Sequence, residues 1–168
     1  MTRKFSLQQH SYYPCLFVVL SIIAIAITYI TVKRSEFYGL AFSSVVGVAG
    51  FVYFLYSQHL QQTILFTDLF RRFNERYDVL NDKINKIACR DHQKKLSPEE
   101  IQDLYDYFNL CGEEYLYFNA GFIDQKVWSA WTRGMKHFAT HAEIRRLWES
   151  ELKSGSYYGF SLSALDGP

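Results

Sequence analysis

The stretch YPCLFVVLSIIAIAITYITV (Tyr13–Val32) is followed, after Lys33-Arg34-Ser35-Glu36-Phe37, by YGLAFSSVVGVAGFVYFLY (Tyr38–Tyr56). Neither run carries a charge. At ~1.5 Å rise per residue, each is long enough as a helix to cross a hydrocarbon core roughly 30 Å thick. The short polar link predicts a two-helix transmembrane hairpin over 13–56, with spans 13–32 and 38–56. Residues 1–12 then form an N-terminal tail, and the chain from Ser57 onward is a polar appendage. Function is expected to begin at a lipid bilayer.

The first run also resembles a signal peptide, with Arg3 and Lys4 as a basic end and Ala24-Ile25-Ala26 at cleavage-site spacing. Those alanines sit inside the apolar run, with Ile27, Tyr29, Ile30 and Val32 still to come, so an uncleaved anchor is the better reading. Two crossings place both termini on one side. That side has Arg3 and Lys4 before the hairpin and Arg71, Arg72 and Arg76 after it, against Lys33 and Arg34 opposite. The bias puts both termini in the cytoplasm. Tyr12, Tyr13, Tyr29, Tyr38, Tyr53 and Tyr56 lie mostly near the ends of the runs, where a ring with a polar tip suits the headgroup zone.

A chain of 168 residues has room for one modest domain beside the hairpin. Its net charge of +1 supplies no basic field, so no nucleic-acid partner is expected. Cys15, Cys89 and Cys111 are dispersed and odd in number, which fits a reducing compartment and not a disulfide framework.

Between Gln58 and Ala88 no Gly or Pro occurs, and Phe66, Phe70, Phe73, Tyr77, Leu80, Ile84 and Ile87 recur four and three apart. That heptad seam predicts a helical stalk over 58–88 continuing the second span. Its seam would pack on the rest of the chain or on a second copy. A polar loop follows at Arg90–Lys95. Ser97-Pro98-Glu99-Glu100 opens a helix over 98–118, with Ser97 as cap, Pro98 in the first turn and Glu100 completing a capping box. Gly121 suits the left-handed stop after it. Asp124 caps a helix over 125–138, and Thr140 with Glu143 reads as a second capping box opening a helix over 141–152. The segment 154–168 reads as an irregular tail, with Tyr157, Tyr158, Phe160 and Leu162 available to pin it. The fold class expected is all-α: a transmembrane hairpin, then a cytoplasmic helical domain over 57–153 made of a stalk and a small bundle.

Two segments, RFNERYDVLNDKIN (Arg72–Asn85) and YFNLCGEEYLYFNAGFIDQKVWSAWTRGMKHF (Tyr107–Phe138), resemble a group of small uncharacterised bacterial membrane proteins. Members have two N-terminal spans and a helical C-terminal domain. The resemblance covers most of the chain after Ser57 and implies a bacterial inner-membrane protein. It brings no activity and no catalytic residue.

No constellation in the sequence carries a reaction. Cys89 and His92 form a lone Cys-x-x-His pair, and the other candidate ligands, Cys111, His137 and His141, are far away, so no metal is expected. No phosphate-cradling loop, nucleophile elbow or His-Glu-x-x-His helix occurs, and no cofactor is expected. Glu113 and Glu114 lie in an aromatic helix. A buried carboxylate of raised pKa there would serve as acid or base, but pairing with Lys or Arg of neighbouring helices is the favoured reading. Glu114 falls seven residues after Tyr107 and shares its face.

Phe66, Phe70, Phe73, Tyr77, Tyr107, Glu114 and Tyr117 are the candidates for an interaction face, since 14 Phe and 13 Tyr exceed what a small bundle needs for its core. Arg71, Arg72 and Arg76 are the candidates for contact with anionic lipid, with solvated helix surface as the plain alternative. Within the second span, Ser43, Ser44, Gly47 and Gly50 make a small-residue face, expected to receive the first span, with a second copy of the chain as the rival partner. The charge-free spans give no support to an ion pathway. The leading expectation is a membrane-anchored interaction or regulatory module that binds a partner protein or itself. The alternatives are a membrane-disturbing effector of bacterial defence and a membrane-bound enzyme using Glu113 or Glu114.

Overall fold

The computed structural model describes residues 12–90 and 95–166. Arg3, Lys4, the rest of the N-terminal tail up to Ser11, and His92 with its loop neighbours lie outside these residues, so the basic end and the Cys89–His92 pair are not described. The described chain is all-helical, with no strand. Its elements are α1 (Tyr12–Thr31), α2 (Phe37–Ala88), α3 (Pro98–Asn119), α4 (Gln125–Ala139), α5 (Ala142–Leu152) and a 3-10 turn (Leu162–Asp166). The described residues divide into two compact units, with the boundary between Ile64 and Leu65 inside α2.

The first unit is a helical hairpin. Both helices are long and apolar enough to span a membrane. Tyr13, Leu16, Phe17, Leu20, Ser21, Ala24 and Thr28 are the covered residues of α1, a seam at steps of three and four. The matching seam on α2 runs through Ala41, Ser44, Val45, Val48, Val52 and Leu55. Tyr13 donates its hydroxyl to the Leu55 carbonyl at 3.4 Å and sets its ring edge-on to Tyr56, while Tyr29 meets Phe37 at the other end. Thr28 and Ser43 return their hydroxyls to the Ala24 and Gly39 carbonyls, so neither polar group needs water. The remaining faces are apolar and uncovered: Ile30 is 81% exposed and Phe42 73%.

The small-residue face packs differently from expectation. A Cβ added at Gly47 or Gly50 would meet nothing within 4 Å. The hairpin closes on Ser44 and its β-branched neighbours Val45, Val48 and Val52, which fill the interhelical space that Gly47 and Gly50 would have left open.

The second unit is a bundle built around the seam of α2. Phe73, Leu80, Ile84 and Ile87 are buried within this chain, against Leu104, Tyr107, Phe108 and Cys111 of α3 and Trp128, Met135 and Phe138 of α4. Of the seam residues, Phe70 stays 40% exposed and Tyr77 half-buried. Ser97 accepts from the Glu100 backbone N–H while the Glu100 carboxylate accepts from the Ser97 backbone, so the capping box opens α3. Asp124 caps α4 by accepting from the Lys126 N–H. Thr140 does not cap α5. Its hydroxyl donates back to the His137 carbonyl at the end of α4, and His141 takes the N-cap position with no side-chain bond. Glu143 is drawn instead to Arg90, whose guanidinium also reaches Glu100 and the Lys95 carbonyl. One cation thereby ties the chain after α2 to the first turns of α3 and α5.

The tail is structural. Tyr157, Phe160 and Leu165 are buried in the core. Trp148, fully buried, lies stacked between Phe108 at 4.7 Å and Phe160 at 5.6 Å. Gly155 and Gly159 hold positive φ, and so does Tyr158, where a bulky side chain rarely accepts it.

Candidate functional site

Two concavities of the bundle collect the polar side chains that the core does not use. The first is a cavity of about 150 Å³ where α2, α3 and α4 meet. Tyr107, Cys111, Glu114 and Met135 are its buried floor, while Asn74, Tyr77, Trp131, Gly134 and Ala130 are partly or fully exposed at its mouth. The spacing explains the floor: Tyr107, Cys111 and Glu114 are four and three apart, so one face of α3 presents all three.

The electrostatics of that floor are unusual. Glu114 is 5% exposed and lies within salt-bridge distance of no cation among the described residues. The nearby guanidinium of Arg76 is bound by both oxygens of Glu113, the residue before it. Burial pushes the Glu114 carboxyl up to about 8, with the Arg76 charge opposing the rise and the Glu113 charge adding to it. Glu114 is therefore mostly protonated at neutral pH. Burial also pushes the Cys111 thiol and the Tyr107 phenol well above their ordinary ranges, with Glu114 contributing to both. The Tyr107 hydroxyl is buried without a hydrogen-bond partner among the described residues. A floor of neutral acid, thiol and phenol results, the thiol and the phenol side by side, with a potential negative charge in reserve.

The second concavity is an open groove of about 1020 Å³ along α2 and α3. Leu69, Phe73, Val79 and Leu80 form its apolar strip, and Glu75, Asp106, Asn109 and Tyr117 line its sides. Asp68 takes both Arg71 and Arg72, at 3.0 and 2.8 Å, and Arg76 takes Glu113. Asp106 accepts from Gln102, a neutral donor, and with Glu75 it adds carboxylates to the groove that no ion pair engages among the described residues.

The residues singled out from sequence fall into three groups. Phe66, Phe73 and Tyr107 are buried in the folded bundle, Phe73 beneath the groove and Tyr107 at the floor of the cavity. Phe70 stacks on Trp131 at 6.1 Å and stays partly exposed; Tyr77 and Glu114 meet in the cavity, and Tyr117 lines the groove. Arg71, Arg72 and Arg76 are exposed; Arg71 and Arg72 share the single carboxylate of Asp68, and Arg76 pairs with Glu113. The pairing expected for both glutamates is met by Glu113 alone. Sequence reasoning set Cys111 beside Glu114 but missed that the two line one cavity with Trp131 of α4; the signal for Cys111 was its place on the same helical face. His137 and His141 bring their rings to 5.5 Å, yet no group of three metal-ligating side chains forms among the described residues.

The fold thus defines an all-helical chain with two candidate membrane helices and a polar bundle. Comparison with family models, with curated proteins and with solved structures finds no match to this chain.

Proposed function

We propose that this protein is a membrane-anchored regulatory module: the hairpin sits in the bilayer, and the bundle, on the cytoplasmic side, docks a basic helical segment of a partner protein in the groove between α2 and α3. The observation that carries the reading is the pair of surfaces on one unbroken helix. Residues of α2 before Ile64 expose bulky apolar side chains on several faces, and the helix is long and apolar enough to lie in lipid. Beyond Leu65 the same helix contributes its seam to a packed core and one wall of a groove. The groove joins an apolar strip to the carboxylates of Asp106 and Glu75, and an amphipathic helix carrying Lys or Arg complements both. The excess of Lys and Arg flanking the two termini supports the cytoplasmic orientation.

The test places a photo-crosslinking amino acid at Val79 or Asn109 of the full chain in its native membranes. A discrete adduct whose partner maps to a basic helix supports the reading. Adducts of the chain with itself assign the groove to self-assembly instead, and the absence of any protein adduct at both positions overturns docking altogether.

A further inference from the structure

The cavity at the junction of α2, α3 and α4 has a composition that selects a ligand independently of what occupies the groove. Each polar side chain of its lining can accept a hydrogen bond, and Tyr107, Cys111, the Asn74 amide and the protonated form of Glu114 can donate as well. The Asn74 amide N–H already donates to the Phe70 carbonyl at 2.6 Å, leaving its carbonyl oxygen at the mouth. The Tyr107 hydroxyl, beside the Cys111 thiol, and the Glu114 carboxyl stand at the floor, and no cation pairs with Glu114 among the described residues. No Arg or Lys lines the cavity, which disfavours an anion, and Glu114 with Cys111 makes two ligating side chains where a metal needs three or four. Tyr77, Tyr107 and Trp131 supply aromatic rings around the same volume. Acceptors within an aromatic wall recognise a cation bearing N–H and C–H groups. A cavity of ~150 Å³ takes a molecule of about benzene size, so the cation is small.

We propose that this cavity binds a small organic ammonium ion, its charge against the Glu114 carboxylate and its alkyl groups against Tyr77, Tyr107 and Trp131. Binding exchanges one cation for another. The Glu114 O–H bond breaks, its proton leaves to the buffer, and the ammonium takes its place. The titratable groups facing Glu114 are Arg76 and Tyr77 from α2 and Tyr107, Cys111 and Glu113 from α3; α4 contributes none to the cavity lining. Of these, Arg76 is held by Glu113, and the phenols and the thiol stay neutral in the physiological range, so Glu114 is the group that gives up the proton.

The experiment titrates the full chain in detergent micelles with tert-butylammonium and with its neutral isostere tert-butanol, by calorimetry at pH 7 in two buffers of different ionisation enthalpy. The expected result is saturable ammonium binding with release of close to one proton per site, and alcohol binding at least about tenfold weaker. Glu114→Gln should abolish both the preference and the proton release. Should that variant fail to fold, Trp131→Leu, at the partly exposed mouth, should weaken the ammonium about tenfold while leaving the proton count unchanged. Equal binding of the two probes, saturable binding without proton release, or no saturable ammonium binding by the unmodified chain would each overturn the proposal.

Discussion

Arg76 of α2 closes on Glu113 of α3, and the adjacent Glu114, one residue further along α3, is buried beside that pair with no cation of its own. Two neighbouring carboxyls of one helix thus meet different surroundings, one a guanidinium and the other the protein interior. The difference comes from helical geometry: a step of one residue turns the side chain by about 100°, from the groove to the interior.

That burial makes the bundle sensitive to alkali. Glu114 has a folded pKa of about 8 against an ordinary value of 4.5, so between these limits the native state holds a proton that the unfolded chain has lost. Unfolding free energy should accordingly fall as pH rises, by up to ~1.4 kcal/mol per unit, most of the loss being complete above pH 8. The contribution is fully present below about 4.5. Thermal unfolding of the full chain followed by near-UV circular dichroism from pH 5 to 9 measures the slope, and Glu114→Gln should flatten it.

Arg76→Gln should move that slope to higher pH. Arg76 lowers the Glu114 pKa and also neutralises Glu113, so its removal takes away an attraction and frees a repulsion, both in the same direction. The direct loss of the pair should cost less than ~1 kcal/mol, because both partners are substantially solvated. Carbon-13 detection of the glutamate carboxyls follows the shift; an unchanged Glu114 midpoint would show that the two helices do not communicate electrostatically.

Gly112 tests the docking of the tail. A Cβ there would stand 3.4 Å from Tyr157, an ordinary contact, so Gly112→Ala should be neutral or stabilising by up to ~1 kcal/mol through helix propensity. Gly112→Val adds two methyl groups where Tyr157 stands and should destabilise by ~1–3 kcal/mol. The opposite ranking in denaturant unfolding would mean that Tyr157 does not rest on α3.

Phe160→Ala should destabilise the bundle by ~3–5 kcal/mol, since it removes a ring stacked on Trp148 inside the core. A loss below ~1 kcal/mol would return this segment to the status of an irregular tail.

Much of this architecture was legible because local chemistry and packing agree. Ser97 with Glu100, and Asp124, mark helix starts by bonds made within a few residues, and the four-three rhythm from Phe66 to Ile87 marks a buried face. What escaped sequence reading depends on competition across the chain. Thr140 with Glu143 has the pattern of a capping box, but Arg90, 53 residues before Glu143, claims the carboxylate and leaves the threonine to α4. Gly47 and Gly50 have the spacing of a close helix contact, but the hairpin packs on Val45, Val48 and Val52, whose bulk its geometry accommodates. The shared face of Tyr107 and Glu114 is visible from their spacing. That Arg76 would choose Glu113 and leave Glu114 unpaired is a matter of side-chain reach, which spacing does not encode.

The buried tail has a consequence for biosynthesis. Tyr157, Phe160 and Leu165 share one core with Ile84 and Ile87, yet the ribosome delivers them long after the seam. At ~5–20 residues per second, the interval is on the order of 10 s. Throughout it the hairpin is already available for insertion while the seam behind it stands uncovered. On the proposed anchorage, the nascent chain would be moored before it finishes folding, its half-made core held at the membrane rather than adrift among other proteins.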